Sequence, residues 1–323
     1  MTDVASPAPT RPETIRAVPV RHPGRWIATV VIAILVVMFA HMLVTNGAFS
    51  WSFMYHNMFR APVLEGVRTT VIATVVSMLI GVAIGIVIAV MRLSPNPILG
   101  SVAWLYTWFF RAVPRLVLLT LCGNLGILYK QITLGIPFVK PFGKALGLNG
   151  DAAWAAWYHI NANTFLAGLT AGIIGLSLSE GAYMAEIVRA GILSIESGQA
   201  EAAQALGMGR TLTMRRIVLP QAMRVIVPPT GNETIAMLKD TSLLIAVPVT
   251  NELFFQLSGI GSRTFNVFPM LVAACLWYLA LSSVLLLAQY YVERYFSRGV
   301  AGRARERVLE ATVPGGGPPQ GAV

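Results

Sequence analysis

A small set of charged and polar side chains stands inside stretches of this 323-residue chain that are otherwise apolar: Arg111 and Arg115, then Glu180, then Asn232, Glu233, Lys239 and Asp240 followed by Thr241 and Ser242. A charge at the centre of an apolar membrane helix costs about 2.5–3.5 kcal/mol on insertion scales, so each such group must face a cavity or a partner. The chemistry open to them is recognition of a charged solute, because carboxylates pair with ammonium or guanidinium groups and guanidinium pairs with carboxylates. Glu180 has no opposite charge close by in sequence, and it reads either as a seat for a substrate ammonium or as an interhelical bond. Glu186 and Arg189, three residues apart, read as a satisfied ion pair. Asn232, Ala236 and Asp240 recur every four residues and share a helical face, a polar stripe that either lines a solute path or forms a network between two subunits. Arg111 and Arg115 lie one turn apart across Pro114, with a substrate carboxylate as one partner open to either.

Bond-making chemistry is not supported. The nearest approach to a phosphate-binding loop, the segment FGKAL at 142–146, lacks both the upstream glycine and the hydroxyl residue. His22, His41, His56 and His159 are scattered without ligand spacing, so no metal site is expected. There is no G-x-S-x-G elbow and no Ser-His-Asp arrangement, so no catalytic residue is expected either. Cys122 and Cys275 lie far apart in apolar stretches and read as small hydrophobes. A formal net charge of +10 invites a nucleic-acid partner, but no basic patch is interleaved with aromatics, and the charge is better explained by topology.

The elements that must position these groups are membrane helices. Hydrophobic residues make up 55% of the chain and charged residues 12%, with a mean hydropathy of +0.67, outside the range of ordinary soluble domains. Six runs approach the roughly 20 apolar residues that a helix needs to span a bilayer: 26–44, 69–91, 101–128, 164–187, 225–247 and 270–291. The third is interrupted by Arg111, Pro114 and Arg115, and the fifth by its polar stripe, with Pro228 and Pro229 near its start to kink it. The first is too long for a signal peptide and has no small-residue cleavage site, so it reads as a retained helix. With the N-terminus inside, 15 of the 24 Lys and Arg fall in cytoplasmic segments, six outside and three within runs, which places both termini in the cytoplasm.

The longest cytoplasmic connection, about 191–224, contains GQAEAAQALG at 198–207. Ser197 is expected to cap a short helix, Glu201 suits its first turns, and Gly207 its C-terminal end. Thr211 is expected to cap a second short helix ended by Pro220. Ala202, Ala203 and Leu206 make an apolar face on the first helix, with Met214, Ile217 and Val218 facing it from the second, and the pair forms a knob suited to a groove in another protein.

Glu201-Ala202-Ala203, Gly207, Ile217, Leu219 and Pro220 match the EAA loop spacing of ABC importer permeases. The longer run from GAYMAEIVRAGIL through TGNETIAMLKDTSL resembles the polar amino-acid uptake branch, which takes histidine, glutamine and glutamate, and FRAVPRLVLL resembles that branch's Arg-Gly-Thr-Pro segment, over roughly 66–292 in all. The resemblance implies an all-α integral membrane protein of the type I ABC importer permease fold, with about six transmembrane helices and a cytoplasmic helical coupling loop, in the bacterial inner membrane. It implies a permease core over 66–293; the helix and connection at 26–65 are additional to the family core, 1–25 reads as a disordered cytoplasmic tail, and 294–323 as a basic to Gly/Pro-rich cytoplasmic tail. It implies a cytoplasmic ABC ATPase dimer carrying ATP and Mg, a second permease subunit, identical or a sister chain, and an extracytoplasmic substrate-binding protein that delivers an amino acid. No cofactor is implied on this chain and no nucleic acid. Gly198, Glu201, Ala202, Ala203, Gly207, Leu219 and Pro220 are the implied ATPase-coupling residues. Arg111, Glu180, Asn232, Glu233, Lys239, Asp240, Thr241 and Ser242 are the expected substrate path. Ala112 and Val113 replace the Gly-Thr of the family segment, and 129–163, with WAAWYHI, is longer than the family pattern; it reads as an interfacial helix or a contact for the delivering partner. The competing class is an ATP-independent secondary transporter or channel for a small polar solute, which predicts internal repeats that the sequence lacks.

Overall fold

Each apolar run contains a helix, and the departures occur where proline, glycine or charge interrupts the run. The computed structural model describes residues 23–128, 131–135, 156–161, 168–247 and 249–296. Most of the expected tails at 1–25 and 294–323, most of 129–163 and the start of the fourth run lie outside the described residues. The chain divides into two compact units at Phe49/Ser50. The first holds helix α1 (Pro23–Thr45), whose apolar side chains are exposed as a lipid-facing span requires, and a 3₁₀ turn at Gly47–Phe49.

The second unit begins with α2 (Trp51–Met58) and the long α3 (Ala61–Arg92). The third run is not one helix. It breaks into α4 (Pro97–Ala112) and α5 (Arg115–Leu128), bent by 105°. The cause is local: Pro114 has no N–H to continue the helix, and it pushes Val113 into extended backbone at φ −81°, ψ 129°. A two-stranded antiparallel ribbon follows, β1 (Gln131–Gly135) with β2 (Ala156–Asn161), pairing Gln131 with Asn161 and Thr133 with His159. The aromatic stretch at 156–161 is therefore a strand and not the expected interfacial helix, in keeping with the β-preference of Trp, Tyr and Ile.

Helix α6 (Gly168–Leu193) leads to α7 (Ser197–Ala205), α8 (Arg210–Thr213) and a π-helical turn at Met214–Val218. Then come α9 (Leu219–Asp240), a 3₁₀ turn at Thr241–Ala246, α10 (Leu253–Thr264) and α11 (Val267–Phe296). Among the described residues, α1, α3 and α11 are long and apolar enough to cross a membrane, and the bent α4–α5 pair makes a fourth if it is one span. Helices α6 and α9 stand where the fourth and fifth spans are expected, with glycine, serine and their charged residues diluting their hydropathy. Helix α10, unforeseen from the sequence, is too short and too mixed to register as an apolar run. Pro220 does not end the second short helix as expected but sits in the first turn of α9, where its missing N–H is no loss, and α9 continues through Pro228 and Pro229.

The core joins α3, α5, α6 and α9 through Ala73, Met78, Leu119, Leu176, Met237 and Leu244. Helices α3 and α6 touch along Gly81 and Gly85, a small-x-x-x-small pair that lets backbones approach. A Cβ on Gly85 would lie 2.5 Å from the Met184 Cβ and 3.0 Å from the Ala185 backbone nitrogen. Because backbone cannot yield cheaply, Gly85→Val should overpack this seam at a cost of about 1–3 kcal/mol. It is expected to lower the thermal midpoint of the detergent-solubilised protein. An unchanged midpoint would show that the seam opens without penalty.

Glu252 is fully buried immediately before α10. One carboxylate oxygen accepts from Thr70 Oγ1 of α3 at 2.9 Å and Tyr278 OH of α11 at 2.6 Å, and the other from the Phe254 and Phe255 backbone N–H groups at 2.7 and 3.2 Å. It caps α10 while tying that helix to α3 and α11.

Candidate functional site

The α4–α5 break delivers Arg115, the first residue of α5, against α6 and α9. Its guanidinium pairs with Glu180 at 3.0 Å, with Asp240 by a short hydrogen bond, and with Glu233 at 3.9 Å. The Tyr183 ring lies beneath it, 4.8 Å from the guanidinium carbon to the ring centroid. Glu180 and Tyr183 are neighbours on α6, one turn apart, and Glu233 and Asp240 are two turns apart on α9, so three helices converge on one cation. Glu180 therefore does have a partner of opposite charge, 65 residues away in sequence.

Burial is graded across the cluster. The Glu180 side chain is wholly buried and that of Arg115 is 14% exposed, against 25% for Glu233 and 31% for Asp240. The second Glu180 oxygen, Oε1, is buried and has no hydrogen-bond partner. Arg115 at a helix N-terminus and Asp240 at a helix C-terminus are each placed against the helix dipole, a cost their mutual pairing offsets. Three carboxylates lie within ion-pair reach of one guanidinium.

Arg111 makes no ion pair with these carboxylates, although it is near enough for its charge to act on Glu233. It is exposed, 5.6 Å from the Tyr183 ring centroid, and lines a cavity of about 410 Å³ with Arg92, Trp104, Trp108 and Glu186. The Glu186–Arg189 ion pair is present, at 2.8 and 2.9 Å. The expected stripe is displaced by one residue: Glu233 and Asp240 meet Arg115, whereas Asn232 is exposed and accepts from Gln289 of α11 at 2.9 Å. Lys239 is exposed, and Thr241 and Ser242 donate to the carbonyls of Leu238 and Lys239 at the end of α9. The sequence marks Arg115 only as one of two arginines open to a substrate carboxylate and not as the hub of three acids, and it does not mark Tyr183. The available signal was a count of charges within spans, since three acids there require a buried cation.

On the connection between α6 and α9, α7 ends in a Schellman motif. The Met208 N–H reaches Ala203 O at 3.0 Å and the Gly207 N–H reaches Gln204 O at 2.8 Å, with Gly207 at φ +80°. The expected N-caps differ from the structure: Ser197 is already helical, Glu196 precedes it without a side-chain bond, and Gly209 rather than Thr211 precedes α8. Ala203 is buried against the second limb, while Glu201, Ala202 and Leu206 are exposed, Leu206 by 84%. Leu219 and Pro220 are exposed, and Gly198 has open space around it.

Residues 81–298 match the family described as binding-protein-dependent transport system inner membrane component. The chain is 41% identical over 311 residues to the arginine transport system permease protein ArgU of Corynebacterium glutamicum, covering 94% of this chain and 92% of that protein. It is 34% identical over 210 residues to a probable amino-acid permease protein, YxeN, of Bacillus subtilis, covering 65% of this chain and 80% of that one. Among solved structures, an amino acid ABC transporter with histidines superposes with a TM-score of 0.55 at 29% identity, covering 72% of this chain and 94% of that one. A bacterial alginate ABC transporter, 14% identical, shares the fold with a TM-score of 0.54, covering 85% and 95%. A broken helix, a charged cluster between α5, α6 and α9, and a glycine-turned hairpin thus coincide with these matches, and the chain belongs to the family of binding-protein-dependent transport system inner membrane components, as a multi-pass permease subunit of an amino-acid ABC importer.

Proposed function

We propose that this permease carries cationic amino acids of the arginine class. The observation that supports this reading is the excess of carboxylates at Arg115, which suits a second cation, together with the likeness to an arginine permease. In this reading the substrate's side-chain cation faces Glu233 and Asp240, the more exposed acids, and its α-carboxylate faces Arg111. Glu180, Asn232, Lys239, Thr241 and Ser242 belong to the surrounding wall.

The chain holds no cofactor of its own in this reading; ATP and Mg sit on a cytoplasmic ATPase dimer. The α7–α8 hairpin docks there through Gly198, Glu201 and Ala202, with Ala203, Gly207, Leu219 and Pro220 fixing its shape. A second permease subunit completes the path, and an extracytoplasmic binding protein delivers the substrate. Both termini are cytoplasmic, so single cysteines near either end should react with impermeant reagents from the cytoplasmic face alone. Labelling from outside at either end would reverse the topology.

The substrate reading is tested on the purified permease–ATPase complex without any binding protein, so that selectivity belongs to the permease. Labelled L-arginine should bind and be displaced by L-lysine but not by citrulline, which has nearly the same shape without the charge. Equal displacement by citrulline would overturn the assignment.

A further inference from the structure

Two features of the acid pocket are unexplained by a static ion pair. The guanidinium is divided, with one terminal nitrogen on Asp240 and the other on Glu180, although a two-oxygen seat on a single carboxylate is the stronger arrangement. That seat is half vacant: among the six buried side-chain polar atoms without a partner in the described residues, Glu180 Oε1 is the one carboxylate oxygen.

We infer that Arg115 is an internal stand-in for the substrate cation, holding Asp240 and Glu233 until a cationic amino acid displaces it onto both oxygens of Glu180. The inference rests on the reading of the pocket as a cationic amino-acid site. The exchange conserves charge pairing at each step. Before it, one guanidinium serves three acids; after it, Arg115 and Glu180 form a closed bidentate pair and the incoming cation takes the two more exposed carboxylates. The movement is short, because the Arg115 nitrogen nearer Glu180 is already bonded and only the other must swing. The Tyr183 ring offers a face along which the planar guanidinium can turn. Since Arg115 opens α5 and Asp240 closes α9, breaking their bond removes the polar tie between the α4–α5 elbow and the far end of α9 and leaves the apolar contacts of Leu119. Substrate occupancy is thereby converted into freedom of a broken helix. A substrate without a side-chain cation has nothing to offer Asp240 in exchange and leaves the elbow tied.

The test is a cryo-EM structure of the permease–ATPase complex in nanodiscs, with and without saturating L-arginine. The expected result is Arg115 on Asp240 in the empty pocket. With L-arginine bound, Arg115 should sit on both Glu180 oxygens, with the substrate guanidinium about 3 Å from Asp240 or Glu233. Arginine bound in the pocket with Arg115 still on Asp240 would overturn the exchange while leaving the substrate reading intact. Absence of arginine from this pocket would overturn the substrate reading and the exchange with it. A second measurement uses Glu180→Gln, which presents one acceptor oxygen and an NH₂ in place of the other. Arginine affinity should fall about tenfold or more, because the stand-in has lost its seat. Wild-type affinity in that variant would sink the exchange even where no structure is obtained.

Discussion

Arg115→Met is expected to abolish arginine uptake and to reduce severely the yield of assembled permease. The side chain is the shared cation for Glu180, Glu233 and Asp240, and its loss leaves three carboxylates facing one another across α6 and α9. Removing one partner of a buried pair typically costs about 3–5 kcal/mol, because the remaining charge has neither solvent nor counter-ion. Glu180, wholly buried, carries most of that penalty; Glu233 and Asp240, a quarter to a third exposed, are partly relieved by water. A companion variant separates stability from function. Arg115→Met with Glu180→Gln removes the buried unpaired charge and should recover much of the yield, with uptake still absent. The checks are size-exclusion yield in detergent and uptake by proteoliposomes. Uptake near wild type in Arg115→Met would show that the cluster is neither path nor structural pin.

Gly207→Val is expected to eliminate transport by a different route, through backbone conformation and not collision. A Cβ at Gly207 meets nothing within 4 Å, so space is not the constraint. The constraint is φ +80°, where an L-residue pays about 1–2 kcal/mol and a β-branched one more, and where the Schellman bonds to Ala203 and Gln204 depend on the turn. Straightening that turn would carry Glu201, Ala202 and the exposed Leu206 out of the arrangement proposed to enter the ATPase groove. Gly207→Asn, which tolerates the left-handed region, should retain most uptake, and co-purification of the ATPase should follow the same order. Normal transport by the valine variant would remove the hairpin from the coupling role.

The two outcomes bear on parts of the molecule that differ in how openly the sequence displays them. The two short helices and the turn between them were legible because their signal is local: Glu201, Ala202, Ala203, Gly207, Leu219 and Pro220 lie within 20 residues. The turn geometry at Gly207 follows from the absence of a side chain. The helix caps were misjudged, since serine and threonine near a helix start do not always take the cap position. The apolar runs located the helices, but their length alone did not disclose that Pro114 divides the third by a 105° bend. The Arg115 cluster was half legible. The acids in α6 and α9 stand out against their apolar surroundings, but pairing across 65 and 125 residues carries no periodicity, and choosing Arg115 over Arg111 required the elbow. The strand at Ala156–Asn161 was missed because its aromatics suit a membrane interface and a β-ribbon equally well.

The junction between α8 and α9 has one more consequence. Because Pro220 begins α9 instead of ending the hairpin, the chain is helical without a loop from Arg210 through the π-helical turn to Asp240. At the helical rise of 1.5 Å per residue, those 31 residues have a length along the chain of about 45 Å and can act as a lever. With its fulcrum near the middle, a tilt of about 10° would shift each tip by about 4 Å, comparable to the reach of an ion pair. The π-helical turn, before the seam with α6, and the Pro228–Pro229 pair, within it between Ile226 and Met237, are the two places where such a lever can flex. If the hairpin docks on the ATPase as proposed, motion at the Arg210 tip and the proposed release of Asp240 at the other become two ends of a single stroke, and stiffening either joint would change how far that stroke is transmitted.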